Sequence, residues 1–322
     1  GLSTRVLPHN FNELIDASIK VLKGRSFELV PDFPTGGIAD FSQYNDGLRG
    51  GRVRVRAKIS MDDKKTLVIT EIPYGTTTTS LIDSVLKAND KGKIKVKKIE
   101  DNTAEHVEIQ IHLPGNVSPD RTIDALYAFT DCEVSISPLS CVIFEEKPIF
   151  VGVKEILKRS TERTLDLLKN ELEIQLNELQ EQWHFASLER IFIEEKIYRD
   201  IEDAETWEEV IGNIREGLTP HIKHLIRGIT DEDITRLTEI RIKRISKFDK
   251  DKADQHILDL EDRIAGVKHN LANLVDFAVD YFKNIKKKYG KGRERKTEIR
   301  LFEDIDATKV AIANTKLYVN RE

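Results

Sequence analysis

Arginines alternate with apolar residues in the run GRVRVRAKIS (51–60): Arg52, Arg54 and Arg56, followed by Lys58, against Val53, Val55, Ala57 and Ile59. A period of two is that of a β-strand, whose successive side chains point to opposite faces, so one face is apolar and the other basic. Like-facing cations on such a strand stand about 6.6–7 Å apart, a spacing suited to phosphates along a nucleic-acid backbone. Charge on an exposed strand also serves to blunt edge pairing. On these residues alone both readings stay open.

Other chemistry is hard to find. Gly36-Gly37 and Gly50-Gly51 lack the lysine and the spacing of a nucleotide-binding phosphate loop. His221 and His224 stand three residues apart, but no third ligand lies near them in sequence to complete a metal site. The acidic pairs Asp62-Asp63 and Glu145-Glu146 fall where turns or strand edges are expected and read as solvated. Serines and histidines are scattered without a nucleophile signature. No complete active site is recognisable, so a catalytic residue is not assigned.

The chain of 322 residues is long enough for two domains. Its 33% charged residues and the lack of a long apolar run argue against a membrane protein, and the first residues do not read as a signal peptide. The lack of an initiator Met and an end in mid-pattern suggest a piece of a longer protein. Cys132 and Cys141 fit a reducing cytosol. The net charge of −5 argues mildly against nucleic-acid binding, but it hides an asymmetry. Basic residues outnumber acidic ones over 1–60, whereas 161–189 sets only Arg163 and Lys169 against Glu162, Asp166, Glu171, Glu173, Glu178, Glu181 and Glu189.

The elements needed to position the basic row are those of an α/β domain over 1–150. Asn10 with Glu13 reads as a capping box before a helix, and PDFPTGG (31–37) is a loop. Further strands are expected at Leu67–Ile72, Val107–Leu113, Val134–Ile136 and Cys141–Phe144, with helices at Leu81–Lys87 and from Ser118-Pro119 to about Phe129. Beyond 150 the pattern changes. Leu165, Leu168, Leu172, Leu176, Leu179 and Trp183 form one apolar seam. Ile257, Leu260, Ile264, Val267, Leu271, Leu274, Ala278, Tyr281 and Ile285 form another with 3-4 spacing. Two such seams around a helical insert predict an antiparallel coiled-coil hairpin, although pairing with another chain would also satisfy them. The fold class is therefore α+β: an α/β domain (1–150), an ascending arm (151–190), a helical head (191–248), a returning arm (249–289), and a linker with the start of a further domain (290–322), whose Lys309–Val319 alternates as a strand would.

The head's helix over 229–246, with Thr230 as N-cap, carries Ile234, Leu237, Ile240, Ile242 and Ile245. That is more apolar surface than so small a head is expected to bury, which points to self-association. The alternative, that all of them line the head's own core, stays open.

Several phrases in a row resemble the A subunit of bacterial type IIA DNA topoisomerases, the gyrase and topoisomerase IV family. These are TRVLPHN (4–10), PDFPTGG (31–37), GRVRVRAK (51–58), TEIPY (70–74), RLTEIRIKRIS (236–246) and KTEI (296–299), and their order along the chain is the family's. The resemblance covers essentially all of 1–299. It implies a tower domain at 1–150, coiled-coil arms, and a head that is the dimeric exit gate, through Ile234, Leu237, Ile240, Arg241, Ile242 and Ile245. It implies that Val6 wedges between base pairs of double-stranded DNA, and that Arg5, Arg49, Arg52, Arg54, Arg56 and Lys58 hold the phosphates. Leu7 stands where the family commonly has proline.

The family's nucleophilic tyrosine is not matched by any tyrosine of this chain, so the fragment alone is expected to be inactive, with no cofactor of its own. Mg²⁺ and ATP are implied for the holoenzyme through the B subunit, in an A2B2 assembly at the nucleoid in the cytoplasm. The departure of IADFSQYNDGLRGGRV (38–53) from a gyrase-like pattern favours topoisomerase IV over gyrase. A competing architecture, a coiled-coil chromosome-organising protein with a dimerising hinge, requires a nucleotide-binding domain at the base of its arms, of which 1–150 shows no sign.

Overall fold

The computed structural model describes residues 3–310. They divide into two compact units: residues up to Thr161 together with those from Tyr281 onward, and Glu162–Asp280. In chain order the first unit holds α1 (Phe11–Leu22), β1 (Ile38–Asp40), β2 (Val53–Arg56), β3 (Lys58–Asp63), β4 (Thr66–Glu71), α2 (Thr78–Asp90), β5 (Lys98–Asp101), β6 (Ile109–His112), α3 (Pro119–Phe129), β7 (Glu133–Ile136), β8 (Cys141–Phe144) and β9 (Lys147–Phe150). Helix α4 (Val153–Glu194) runs on into the second unit, which continues with α5 (Trp207–Leu218), α6 (Asp231–Thr238), α7 (Ile242–Ser246), α8 (Lys250–Ala272) and the first part of α9 (Leu274–Tyr289). Strand β10 (Glu298–Ile299) and helix α10 (Ala307–Val310) close the described chain in the first unit.

One sheet has the order β10-β1-β2-β7, with β10 parallel to β1 and the other pairs antiparallel. The second, β3-β4-β6-β5, is antiparallel throughout, and β8 and β9 form a separate hairpin. The basic run expected as one strand is shared between the two sheets. It divides at Ala57, whose N–H donates to the Cys132 carbonyl at 2.7 Å, the last rung in register with β7 before β3 begins. The alternation survives the break: Val53, Val55 and Ala57 are buried, while Arg52 and Lys58 are exposed. Val53 and Val55 join the core of the first sheet with Leu7, Phe33, Ala39, Tyr44 and Ile136. Ala57 joins that of the second, with Leu67, Ile69, Leu81, Val85, Ile109, Ile111 and Leu126.

Asn10 caps α1, its Oδ1 accepting from the N–H groups of Asn12 and Glu13. The reciprocal half of the expected capping box is absent because the Glu13 carboxylate is held by Arg295, at 2.5 and 2.7 Å. Pro119 opens α3 as read. The short strands β1, β5, β9 and β10, each of at most four residues, were not anticipated. Lys309 and Val310 lie in α10, not in a strand, and the rest of that expected strand lies outside the described residues.

In the second unit, Leu172 and Leu179 of α4 pack on Leu260, Ile264 and Val267 of α8, flanked by Leu176, Trp183, Leu271 and Leu274. The helices run in opposite directions. Trp183 Nε1 donates to Glu261 at 2.9 Å, Arg190 pairs with Asp254 at 2.9 Å, and Glu194 with Lys250 at 3.1 Å. The returning seam is broken at Asn273, whose φ/ψ of −120/45 is not helical. Its amide side chain donates to the His269 carbonyl at 2.9 Å, the local bonding by which asparagine competes with a helix. The helix expected over 229–246 is likewise two, α6 and α7. Thr230 does cap α6, reciprocally with Asp233. The head's core is Leu188, Phe192, Ile214, Leu218, Ile234 and Leu237. Among the described residues no helix is long and apolar enough to cross a membrane.

Candidate nucleic-acid interface

The segment before α1 is fixed at two points. Arg5 bridges Leu139, with N–H···O distances of 2.7 Å out and 3.1 Å back. Leu7 is 3% exposed in the core of the first sheet. Burial lowers the pKa of His9, which keeps the ring neutral. Its Nδ1 then donates to the Leu7 carbonyl at 2.8 Å, and its Nε2 accepts from the Tyr44 hydroxyl at 3.3 Å. Burial also raises the Tyr44 pKa and keeps that hydroxyl protonated. Between these anchors Val6 is 48% exposed. An aliphatic side chain is thus presented to solvent from a backbone that cannot retract it.

The arginine row differs from its expected form. Register places Arg56 opposite Glu133 across β2 and β7. One carboxylate takes both neighbours: Arg54 Nε donates to Glu133 Oε1 at 2.7 Å and Arg56 Nε to Oε2 at 2.6 Å. The Phe302 ring lies against both guanidinium groups, 5.4 Å from Arg54 and 4.1 Å from Arg56, and Tyr127 lies 4.7 Å from Arg56. Arg54, which also pairs with Asp304 at 3.3 Å, and Arg56 are therefore part-buried and held by carboxylates, with side chains 20% and 13% exposed. Arg49, Arg52 and Lys58 are exposed, and Lys58 makes a long 3.5 Å pair with Glu71. Sequence reasoning missed Glu133 and Phe302 because both are remote in the chain; the only local sign was a carboxylate at the start of an expected strand.

Two phrases carrying the resemblance grip each other. Asp32, in the PDFPTGG loop, accepts from the N–H groups of Thr297 and Lys296 at 2.9 and 3.1 Å and from Asn10 at 2.9 Å. Burial opposes ionisation of Asp32, but these bonds outweigh it and hold the carboxyl below its ordinary range. Gly37, at φ +83°, donates its N–H to Glu71 at 2.6 Å, and a Cβ there would stand 2.8 Å from the Arg56 carbonyl, so glycine is required.

In the second unit the six residues expected on an association surface separate. Ile234 and Leu237 are 0% exposed and belong to the head's own core, so they are not available at the surface. Their i,i+3 spacing turns both inward under the Thr230–Asp233 cap. Ile240 and Ile245 are half-buried against the same core, while Arg241 is exposed and Ile242 is 83% exposed. The end of α4, through Leu188 and Phe192, shares that core, so the head buries more than its own length suggested. His221 and His224 sit on an exposed or half-exposed 3₁₀ turn.

Residues 1–283 match the family model that describes the A subunit of DNA gyrase/topoisomerase IV. The chain is 38% identical over 320 residues to the DNA topoisomerase 4 A subunit of Borreliella burgdorferi, covering 99% of this chain and 51% of that protein. It is 24% identical to the DNA gyrase A subunit of Brachyspira hyodysenteriae, covering 93% and 37% of the two chains. It is also 24% identical to the DNA topoisomerase 4 A subunit of Staphylococcus aureus, covering 90% and 38%. The chain thus spans about half, or less, of the length of these curated relatives.

Proposed function

The chain belongs to the A-subunit family of DNA gyrase and topoisomerase IV, and on that premise we propose that it supplies gate-DNA binding and the dimeric exit gate of a type II topoisomerase. In this reading residues 1–150 are the tower, 151–190 and 249–289 the coiled-coil arms, 191–248 the exit gate, and 290–322 the linker and the start of a further domain. The observation that carries it is Val6, exposed between the Arg5–Leu139 bridge and the buried Leu7. An apolar wedge unstacks a base step at a cost of a few kcal/mol, which a bent duplex offsets by touching more basic surface.

Arg5, Arg49, Arg52 and Lys58 hold the phosphates of the bent arms without reading sequence. Arg54 and Arg56 join them only by exchanging Glu133 for phosphate. Arg241 and Ile242, with the half-buried Ile240 and Ile245, form the association surface, which repeats about a twofold axis. The activity is that of an A2B2 assembly in the cytoplasm. The B subunit brings ATP hydrolysis and Mg²⁺. None of this chain's tyrosines matches the family's nucleophile, so this piece does not cleave DNA by itself. The Borreliella relative and the 38–53 loop favour topoisomerase IV over gyrase.

The test is bending of a doubly labelled duplex followed by energy transfer. The unmodified chain brings the duplex ends together, and Val6→Ala reduces the bend at equal occupancy with no loss of thermal stability. Equal bending by the variant would remove the wedge, and a chain that ignores duplex DNA at low salt would remove the reading altogether.

A further inference from the structure

The loop between α2 and β5 carries a second basic row. In KGKIKVKK (91–98), Lys91, Lys93, Lys95, Lys97 and Lys98 are exposed with no acidic residue among them. Ile94 is buried, and Val96 packs on the core of the second sheet. The backbone is fixed along its length: Lys93 N–H donates to the Ala88 carbonyl at 2.9 Å, Val96 N–H to Asn89 Oδ1 at 2.9 Å, and Lys97 N–H to the His112 carbonyl at 2.8 Å. Pairing of Thr66 with His112, and of His112 with Lys98, sets the Lys64-Lys65 turn beside the row's end. Two strand spacings, roughly 10 Å, separate them. Among the described residues only Lys98 of these seven lysines has an ion-pair partner, Glu100 at 2.5 Å.

We propose that this comb is a second contact for the phosphate backbone of duplex DNA, separate from the Arg52–Lys58 face. It rests on the reading that the chain holds duplex DNA and adds a surface which that reading does not include. Lysine ammonium groups bind phosphate as point charges, without base readout. A backbone already held in place removes the loop-ordering part of the cost of recruiting several at once and leaves only that of the side-chain rotamers. An acidic protein is the poorer occupant, because Ile94 and Val96 face inward and leave the row without the exposed apolar anchor on which protein interfaces depend.

The experiment is fluorescence anisotropy of a duplex oligonucleotide with the full chain over a salt series, comparing the unmodified protein with Lys93→Gln/Lys95→Gln/Lys97→Gln. The logarithmic salt slope should fall by about 2–3, since each lost phosphate contact removes about 0.9, and affinity at low salt should fall on the order of tenfold or more. The corresponding triple arginine variant should retain both. A glutamine variant with unchanged slope and affinity overturns the proposal, even where Val6→Ala and Arg52→Ala weaken binding and so leave the gate-DNA reading standing. Loss in the glutamine variant with none in those two supports the comb and removes Val6 and Arg52 from the DNA-binding surface. Polyglutamate that binds the unmodified chain as tightly as duplex, and loses binding in the glutamine variant, assigns the surface to an acidic protein and overturns the DNA assignment.

Discussion

Arg227 closes a two-toothed ion pair on Asp233: Nη1 donates to Oδ2 at 2.6 Å and Nη2 to Oδ1 at 3.0 Å. The same guanidinium reaches Glu181 of α4 through Nε at 2.9 Å and Nη2 at 2.7 Å. Asp233 is buried and also caps α6 through Thr230. One planar cation thus ties the first turn of α6 to α4 inside the second unit, which lysine, a point charge, could not do at four atoms.

Arg227→Ala should therefore cost the second unit about 2–3 kcal/mol. Removing one side of a buried pair typically costs about 3–5 kcal/mol. The lower figure applies because the Arg227 side chain is 34% exposed and water screens it. Both tryptophans, Trp183 and Trp207, lie in Glu162–Asp280, so their fluorescence in a urea titration reads this unit. A shift below about 0.5 kcal/mol, the scale of an ordinary surface change, would reduce the pair to a surface decoration.

The same cluster predicts loss of stability toward acid in two stages. His184 is buried beside Asp233, and burial, followed by the charge of Arg227, lowers its pKa below 6.5. The unfolded chain then binds a proton that the folded one refuses, so stability present above about pH 6.5 declines as pH falls below it. Asp233 acts lower down. Its burial favours the neutral acid, but Arg227 and Thr230 prevail and depress its pKa. Stability present above its unfolded value of 3.8 is lost as pH falls through the more acidic range. The tryptophan-detected midpoint should decline between pH 7 and 5, and His184→Leu should flatten that decline. An unmodified protein with a constant midpoint over this range would contradict the assignment.

How much of this was legible in the sequence follows from the range of each interaction. The seams of α4 and α8 were visible because apolar spacing is local and repeats. The caps at Asn10 and Thr230 were visible because a capping residue and its targets lie within one turn. The break at Asn273 was hidden because Leu271 and Leu274 keep their spacing across it. Glu133 could not be joined to Arg54 and Arg56, which lie 79 and 77 residues away. The pairing of β10 with β1 joins residues 260 positions apart, Ile38 with Glu298, and leaves no local trace. The lysine row of 91–98 was legible by the alternation that revealed Arg52–Lys58, but Gly92 and the turn after α2 obscured it.

Within the seam, Leu260 is almost fully buried against Leu172 and Leu179. Leu260→Ala should cost about 2–4 kcal/mol, the transfer term plus the cavity left between two helices that can close only partly. Leu258, exposed on the same helix, should tolerate alanine within about 0.5 kcal/mol. Equal effects at the two positions in the urea titration would mean that these helices do not pack through the described face.

The arginine row makes the sharpest separation between stability and binding. Arg56 is part-buried, shares Glu133, and lies against Phe302 and Tyr127. Arg56→Ala should cost the first unit about 1–3 kcal/mol, the range for a charge-assisted bond with its stacking contacts, and should leave the salt slope of DNA binding nearly unchanged. Arg52 is exposed and has no such partners among the described residues; Arg52→Ala should leave stability within about 0.5 kcal/mol and lower the slope by about 0.9. Glu133→Gln removes the carboxylate that holds Arg54 and Arg56, so it should tighten DNA binding and steepen the salt dependence while lowering the melting temperature. Hydrogen exchange in β2 and β7 reads the stability arm, and anisotropy over a salt series reads the other. If Glu133→Gln weakens DNA binding instead, the carboxylate positions the arginines for phosphate and does not compete with it, and the exchange assigned to Arg54 and Arg56 is wrong.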